Sequence, residues 1–341
     1  MSKSLLTIAL DVMGGDNPPS IILSGAIQAL QVYPQLQLII CGDASQINLA
    51  LAEVKVNLAK RIKVMHCQDV ILMTDQPSAM LRRKKDASMR KAIELVAQER
   101  ADACVSAGNT GALFVLASYI LKTLPGVERP ALVSALPTMD RNKVWLLDLG
   151  ANVNNDAQTL IQNAVMGSVL AQGVKEIQAP RVALLNVGEE HNKGNIHIKT
   201  AHQVLKNTPS LNYIGYVEGH DIFTHKADVI VTDGFTGNVA LKSSEGLIKL
   251  VLHEVKRVSN LSFLNRILAA IALPLFRRIF FKMKPDQYNG ASLIGLQGIV
   301  VKSHGNASPS AFFYAIQQAV DEVERQVPKT IKNKIKTILL E

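Results

Sequence analysis

The sequence predicts an α/β fold, a mostly parallel sheet with helices on both faces. Two observations carry that expectation. Short runs, β-branched or leucine-rich and apolar on both sides, alternate with helix-period segments, as strands covered on both faces require. Four of the runs also pass straight into Gly/Asn/Asp/Thr turns before a helical pattern: residues 8–16 (IALDVMGGD), 103–112 (ACVSAGNTGA), 145–153 (WLLDLGANV) and 229–240 (VIVTDGFTGNVA). A helix entered through glycine presents unsatisfied N–H groups and the positive end of its dipole, so turns gathered on one side of such a sheet are where an anion binds.

The expected strands are 8–12, 36–41 (LQLIIC), 62–67 (IKVMHC), 103–106, 131–135 (ALVSA), 144–148 (VWLLD), 182–186 (VALLN), 213–217 (YIGYV), 229–232 and 299–301 (IVV). Helical periodicity fills most gaps, notably 20–32, 88–100, 155–172 and 238–258. No solenoid-period repeat, low-complexity tract or linker divides the chain, so residues 1–341 are expected to form a single domain.

The chain has 341 residues, 48% hydrophobic and 19% charged, enough to bury a sizeable core. Its formal net charge of +9 favours acidic partners: anionic lipid, nucleic acid or an acidic carrier protein. With aromatics at 5% and no RNP-like, zinc-finger or helix-turn-helix signature, nucleic acid is not expected. Cys41, Cys67 and Cys104 form no C-x-x-C pair, and Asp11 interrupts the only early apolar run. Reduced core cysteines in a cytosolic compartment are the expectation.

Residues 247–284 depart from the pattern. Apolar residues including Phe263, Leu264, Leu268, Phe276, Phe280 and Phe281 interleave with cations such as Lys256, Arg257, Arg266 and Arg277. The uninterrupted apolar stretch, 267–276, falls far below the roughly 18 residues needed to span a bilayer, and Pro274 would kink or end a helix there. A protruding basic amphipathic helical hairpin, lying on an anionic membrane or packing in a dimer interface, is expected.

The turns are the chemical candidates, because other chemistries lack their signatures. No G-x-S-x-G, G-K-[ST] loop ending or H-E-x-x-H spacing occurs, and no metal site is expected. In the turn 106–111, Gly108 and Gly111 let backbone approach a ligand while Ser106, Asn109 and Thr110 offer side-chain hydrogen bonds. The same residues also suit a strand-to-helix cap with Asn109 or Thr110 at the N-cap. Asp233, Thr236, Gly237 and Asn238 repeat the arrangement. Asp148 with Asn152, and Asp11 with Gly14 and Gly15, end two further strands; aspartate repels phosphate, so these carboxylates orient loops or a lysine. Lys193, in GEEHNKGN, is either a mobile cation for a phosphate dianion or an ordinary loop lysine.

As an ordered set, ALDVMGGDNPP, SAGNTGA, DLGAN, NVGEE with KGN, DGFTGNVALK and YNGASLIGLQGIVVKSHG (288–305) resemble the bacterial phosphate acyltransferase family of phospholipid synthesis. The resemblance covers nearly the whole chain, weakest over 48–60 and after Val327. It implies a Rossmann-like fold akin to phosphotransacetylases and isocitrate or isopropylmalate dehydrogenases. It also implies a homodimer, and a cytosolic protein that visits the inner membrane face to feed a membrane glycerol-3-phosphate acyltransferase. The implied reaction moves an acyl group from acyl carrier protein to inorganic phosphate, without a cofactor. Phosphate is then itself the nucleophile, so no covalent side chain is required. Ser106, Asn109 and Thr110 are expected to grip phosphate, Asn152, Asn238 or the Gly237 amide to stabilise the oxyanion, and Lys193 or His304 to assist the leaving thiol, with Lys302 and His304 equally readable as structural. Two rivals stand beside this reading: a metal- and nicotinamide-dependent hydroxyacid dehydrogenase of the same fold, and a non-catalytic membrane scaffold.

Overall fold

The computed structural model describes residues 5–175, 177–190, 192–263, 265–267, 269–272, 274 and 285–338. Its first half runs β1 (Leu6–Asp11), α1 (Pro19–Val32), β2 (Leu36–Gly42), α2 (Ala44–Leu51), α3 (Val56–Ala59), β3 (Ile62–His66), α4 (Ser88–Ala97), β4 (Ala103–Ser106) and α5 (Thr110–Leu121). Then follow β5 (Ala131–Pro137), β6 (Lys143–Leu147), α6 (Ala157–Lys175), β7 (Val182–Leu185), α7 (Ile196–Lys206), β8 (Tyr213–Val217), β9 (Val229–Val231) and α8 (Gly234–Ser259). The chain closes with β10 (Ala291–Ile294), β11 (Ile299–Lys302), α9 (Pro309–Glu324) and α10 (Val327–Ile338). Every expected strand is present. The sequence reading missed β10, whose four residues are too few to show a period. Helix α8 starts four residues before the expected 238, because Asp233 caps it by accepting from the Thr236 N–H at 2.8 Å.

The eleven strands form one sheet in the order β3-β2-β1-β4-β11-β10-β5-β6-β9-β7-β8. Pairing is parallel from β3 to β11 and from β6 to β8, but β10 runs antiparallel to both β11 and β5, and β5 antiparallel to β6. The two parallel halves therefore point in opposite directions, which corrects the expectation that all four turns leave one side of the sheet. What brings them together is register. Ser106 pairs with Lys302 and Lys302 with Ala291, while the neighbouring row joins Val301, Ser292, Val133 and Leu147. The carboxyl ends of β4 and β6 thus lie level within one residue, four interstrand steps or about 19 Å apart.

Apolar side chains bury both faces. Ile22, Leu23 and Phe312 of α1 and α9 cover β1 and β2 on one side, and α4 and α5 cover the other. Around β6 and β9 the packing comes from α6, α7 and α10, with Trp145 fully enclosed. All three cysteines are buried, as expected of core residues. Among the described residues no helix is long and apolar enough to cross a membrane. Of the residues expected on the amphipathic hairpin, Phe263 is 79% exposed. Leu264, Leu268, Phe276, Arg277, Phe280 and Phe281 lie outside the described residues.

Candidate active site

A cleft of about 420 Å³ crosses the face of the two antiparallel strands at the centre of the sheet. Its floor is Leu132, Ser134 and Leu136 of β5 with Ala291 and Leu293 of β10, alternate residues that point to one face. Phe114 of α5 and Leu241 and Ile248 of α8 add apolar walls. Thr110, Gly111, Lys302, Ser303 and His304 contribute from the β4/β11 side, Gly150, Ala151 and Asn238 from the β6 side. Helix α8 bridges the two: Asn238 lies against Gly150, and Glu245 Oε1 lies 3.7 Å from His304 Nε2. Seven residues separate those contacts, about 10 Å of helix.

The β4 side is built by a buried carboxylate. Asp11, at the end of β1, accepts from the Ser88 and Ser106 hydroxyls, each at 2.7 Å, and Ser106 Oγ in turn accepts the Gly108 N–H at 3.0 Å. Burial pushes the Asp11 carboxyl up, and those two hydroxyls pull it back. Glycines let the loops close on one another: a Cβ on Gly14 would stand 2.6 Å from Asp11 Oδ2 and 2.8 Å from Gly108 Cα, and one on Gly15 would stand 2.9 Å from Gly305 O.

Asn109 caps α5, its Oδ1 accepting the Ala112 N–H at 3.0 Å. Its Nδ2 donates to the carbonyls of Met73 at 2.9 Å and Asp75 at 3.2 Å. Gly111 lies where a Cβ would meet Pro77 Cγ at 2.7 Å, so the 72–77 segment is strapped over the start of α5. The capping alternative describes Asn109, and the side chains of Ser106 and Asn109 are turned into the protein. What this turn offers the cleft is Thr110 with the N–H groups of Thr110 and Gly111, because those of Ala112 and Leu113 bond to Asn109 Oδ1 and O.

The β6 side has its own buried carboxylate. Asp148 accepts from the N–H groups of Leu132 at 3.2 Å, Gly150 at 3.2 Å, Ala151 at 2.9 Å and Asn152 at 2.9 Å, and from Asn152 Nδ2 at 2.9 Å. Burial raises its pKa against those bonds. Asn152 Nδ2 also donates to Pro130 O at 2.8 Å, so this amide builds the turn and does not line the cleft. Gly150, at φ +112°, adopts a conformation that favours glycine. Helix α8 packs directly on this turn, with Gly234 N–H donating to Asn152 O at 2.9 Å. Asp233 and Thr236 close the α8 cap, and Asn238, one turn on, reaches the cleft.

Lys302 ends β11 in the same row as Asp11 and Ser106, and is 8% exposed. Its Nζ donates to Ser303 O and, at 3.4 Å, to Ala107 O. Burial lowers its pKa to about 8, with Asp11 and Asp16 favouring the charge. Burial also lowers the pKa of His304, opposed by Glu245. The His304 N–H donates to Asn289 Oδ1 at 3.0 Å, and Asn289 Nδ2 to Ser303 Oγ at 2.8 Å, fixing the strand end. Lys193 is exposed in the loop after β7 and does not line the cleft. Near it the sequence reading missed Asn186, whose buried amide has no hydrogen-bond partner among the described residues and lies 2.4 Å from where a Gly194 Cβ would stand. The apolar floor was also missed, because it joins strands distant in sequence. Among the described residues no three His, Cys, Asp or Glu side chains gather as a metal site, so the dehydrogenase rival lacks its acidic ligand cluster there.

A largely apolar trough thus lies between the start of α5, with Thr110 and Gly111, and Asn238 of the fully capped helix α8. The fold is that of phosphotransacylases. A crystal structure of a phosphotransacetylase from Streptococcus pyogenes superposes with a TM-score of 0.64 at 16% identity, over 95% of each chain. A 4-hydroxythreonine-4-phosphate dehydrogenase from Klebsiella pneumoniae does so with 0.50 at 13%, over 94% of this chain and 98% of that one. In sequence, the family described as "Fatty acid synthesis protein" matches residues 6–330. A phosphate acyltransferase from Pseudoalteromonas atlantica is 60% identical over 336 residues, 98% of each chain. One from Colwellia psychrerythraea is 55% identical over 97% of this chain and 96% of its own. The chain belongs to the phosphate acyltransferase family.

Proposed function

We propose that the protein transfers a fatty acyl group from an acyl carrier protein thioester to inorganic phosphate, reversibly, giving an acyl phosphate for glycerol-3-phosphate acylation in phospholipid synthesis. The observation that carries this reading is the cleft itself, an apolar trough between Phe114, Leu241 and the β5/β10 floor that runs from the Thr110–Gly111 start of α5 to Asn238 of α8. The trough takes the alkyl chain, and the start of α5 takes negative charge.

A dianionic phosphate oxygen attacks the thioester carbon; the C–O bond forms as the C–S bond breaks, and the phosphate proton passes to the departing sulfur. Holding the reactants within about 3–3.5 Å replaces a covalent intermediate by positioning. Asn238 is the donor best placed for the carbonyl oxygen as it gains charge. Replacing it by alanine is expected to lower kcat for phosphate-dependent thiol release by about 10²–10³-fold with the fold intact, since that is the worth of one preorganised donor. An unchanged kcat would remove Asn238 from the chemistry.

The exposed apolar face of α8, with Leu247 62% and Leu250 57% exposed, supports a homodimer, to be checked as twice the 37.1 kDa chain mass by light scattering. Phe263 beside Arg257 and Arg266 supports peripheral contact with an anionic inner membrane face, where a membrane glycerol-3-phosphate acyltransferase would take the product. Phe263→Asp is expected to weaken cosedimentation with phosphatidylglycerol vesicles several-fold; undiminished cosedimentation would count against this contact.

A further inference from the structure

Lys302 is a buried ammonium whose hydrogen bonds go to carbonyls and not to a carboxylate. Among the described residues it forms no ion pair, and its two acceptors, the carbonyls of Ala107 and Ser303, leave one of its three N–H donors unspent. Taking an ammonium out of water costs several kcal/mol unless an opposite charge meets it. Asp11 and Asp16 favour the charge from a distance, but neither bonds to Nζ, and the Asp11 oxygens accept from Ser88, Ser106 and Met13. Lys302 lines the cleft next to Thr110 and Gly111, so its spare donor shares that end with the first-turn amides of the 12-residue helix α5. Two independent features, a buried ammonium with a spare donor and the N–H groups of Thr110 and Gly111 that the Asn109 cap leaves open, converge on one small region.

We propose that the Lys302 ammonium and the first-turn amides of α5 form the subsite for the phosphate nucleophile, at the end of the cleft away from Asn238. The inference rests on the acyl-transfer reading and orients it. Along the 10 Å of α8 between Glu245 and Asn238, the order is phosphate, then thioester carbon, then oxyanion donor. The ligand chemistry is a phosphate dianion. A phosphodiester on the carrier's pantetheine arm shares that chemistry in part, and kinetics separate the two sources.

The test uses the full chain with Lys302→Met, and Lys302→Gln should the first variant fail to fold. Inorganic phosphate is titrated into a thermal-unfolding assay, and KM is measured separately for phosphate and for a long-chain acyl carrier protein thioester. Without phosphate, the variant is expected to melt no lower than the wild type, since a buried unpaired charge is gone. The phosphate-induced rise in midpoint seen in the wild type should vanish. The phosphate KM should climb on the order of 10- to 100-fold, the loss of one charge-assisted hydrogen bond, with the thioester KM nearly unchanged. A phosphate KM equal to that of the wild type, or a rise in the thioester KM in its place, would overturn the assignment. If the wild type itself shows no dependence on phosphate, the acyl-transfer reading fails first and this subsite with it.

Discussion

Replacing Gly237 by alanine is expected to destabilise the protein by about 3 kcal/mol or more, the upper end of what overpacking does, and to lower its thermal midpoint by roughly 4 °C or more. A Cβ there would stand 1.9 Å from the Asp148 carbonyl oxygen, a backbone atom that cannot swing aside, and 2.9 Å from Thr232 Cγ2. The first turn of α8 would have to lift off the 148–152 turn, moving Asn238 with it, so acyl transfer should fall with stability. Gly246 is the control within the same helix. Among the described residues nothing lies within 4 Å of where its Cβ would be, and alanine there should stabilise by about 0.5–1 kcal/mol through helix propensity. Opposite signs for one substitution at two positions of α8 separate packing from propensity. Equal melting of the two variants would mean that α8 does not rest on this turn.

The second large effect is expected at Asp148. Two forces oppose each other there. Burial penalises the carboxylate, as its raised pKa records, and removing it relieves that cost. Against this, alanine would strand the four N–H groups of Leu132, Gly150, Ala151 and Asn152. Each orphaned donor costs about 1–3 kcal/mol, so the hydrogen bonds outweigh the desolvation and Asp148→Ala should lose roughly 3–5 kcal/mol by chemical denaturation. Asn152 Nδ2 keeps Pro130 O and limits the loss. Asp148→Asn should fall between, because one carbonyl oxygen replaces two acceptors. Wild-type stability in Asp148→Ala would show that water satisfies the turn as well as the carboxylate does.

Much of this architecture was legible because its strands are short, apolar and punctuated. The runs ending at Asp11, Ser106, Leu147 and Val231 are strands, and the turns after Ser106 and Val231 are helix starts, while those after Asp11 and Leu147 reach their helices only at Pro19 and Ala157. The reversal of direction was not legible. It depends on β10, a four-residue strand whose pairing with β5 and β11 leaves no trace in periodicity. Polar residues in the turns were recognisable as important, but sequence does not say which way an amide points. Asn109 and Asn152 donate to backbone carbonyls of neighbouring segments, at Met73 and Pro130, while Asn238, of the same type, opens to the cleft. From the sequence, Lys302 is equally readable as structural or functional. Its significance comes from burial against the Ala107 carbonyl, 195 residues away in the chain and just before α5, which only the packed sheet creates.

The most direct measurement incubates the purified protein with a long-chain acyl carrier protein thioester and phosphate labelled with ¹⁸O at all four oxygens, following free carrier thiol and the isotopic composition of the acyl phosphate. Thiol release should rise with phosphate concentration and match acyl phosphate formed, with all four labelled oxygens retained, because a phosphate oxygen becomes the bridge to the acyl carbon. Thiol release that ignores phosphate, or an acylated protein that accumulates without it, would contradict direct attack by phosphate in the cleft.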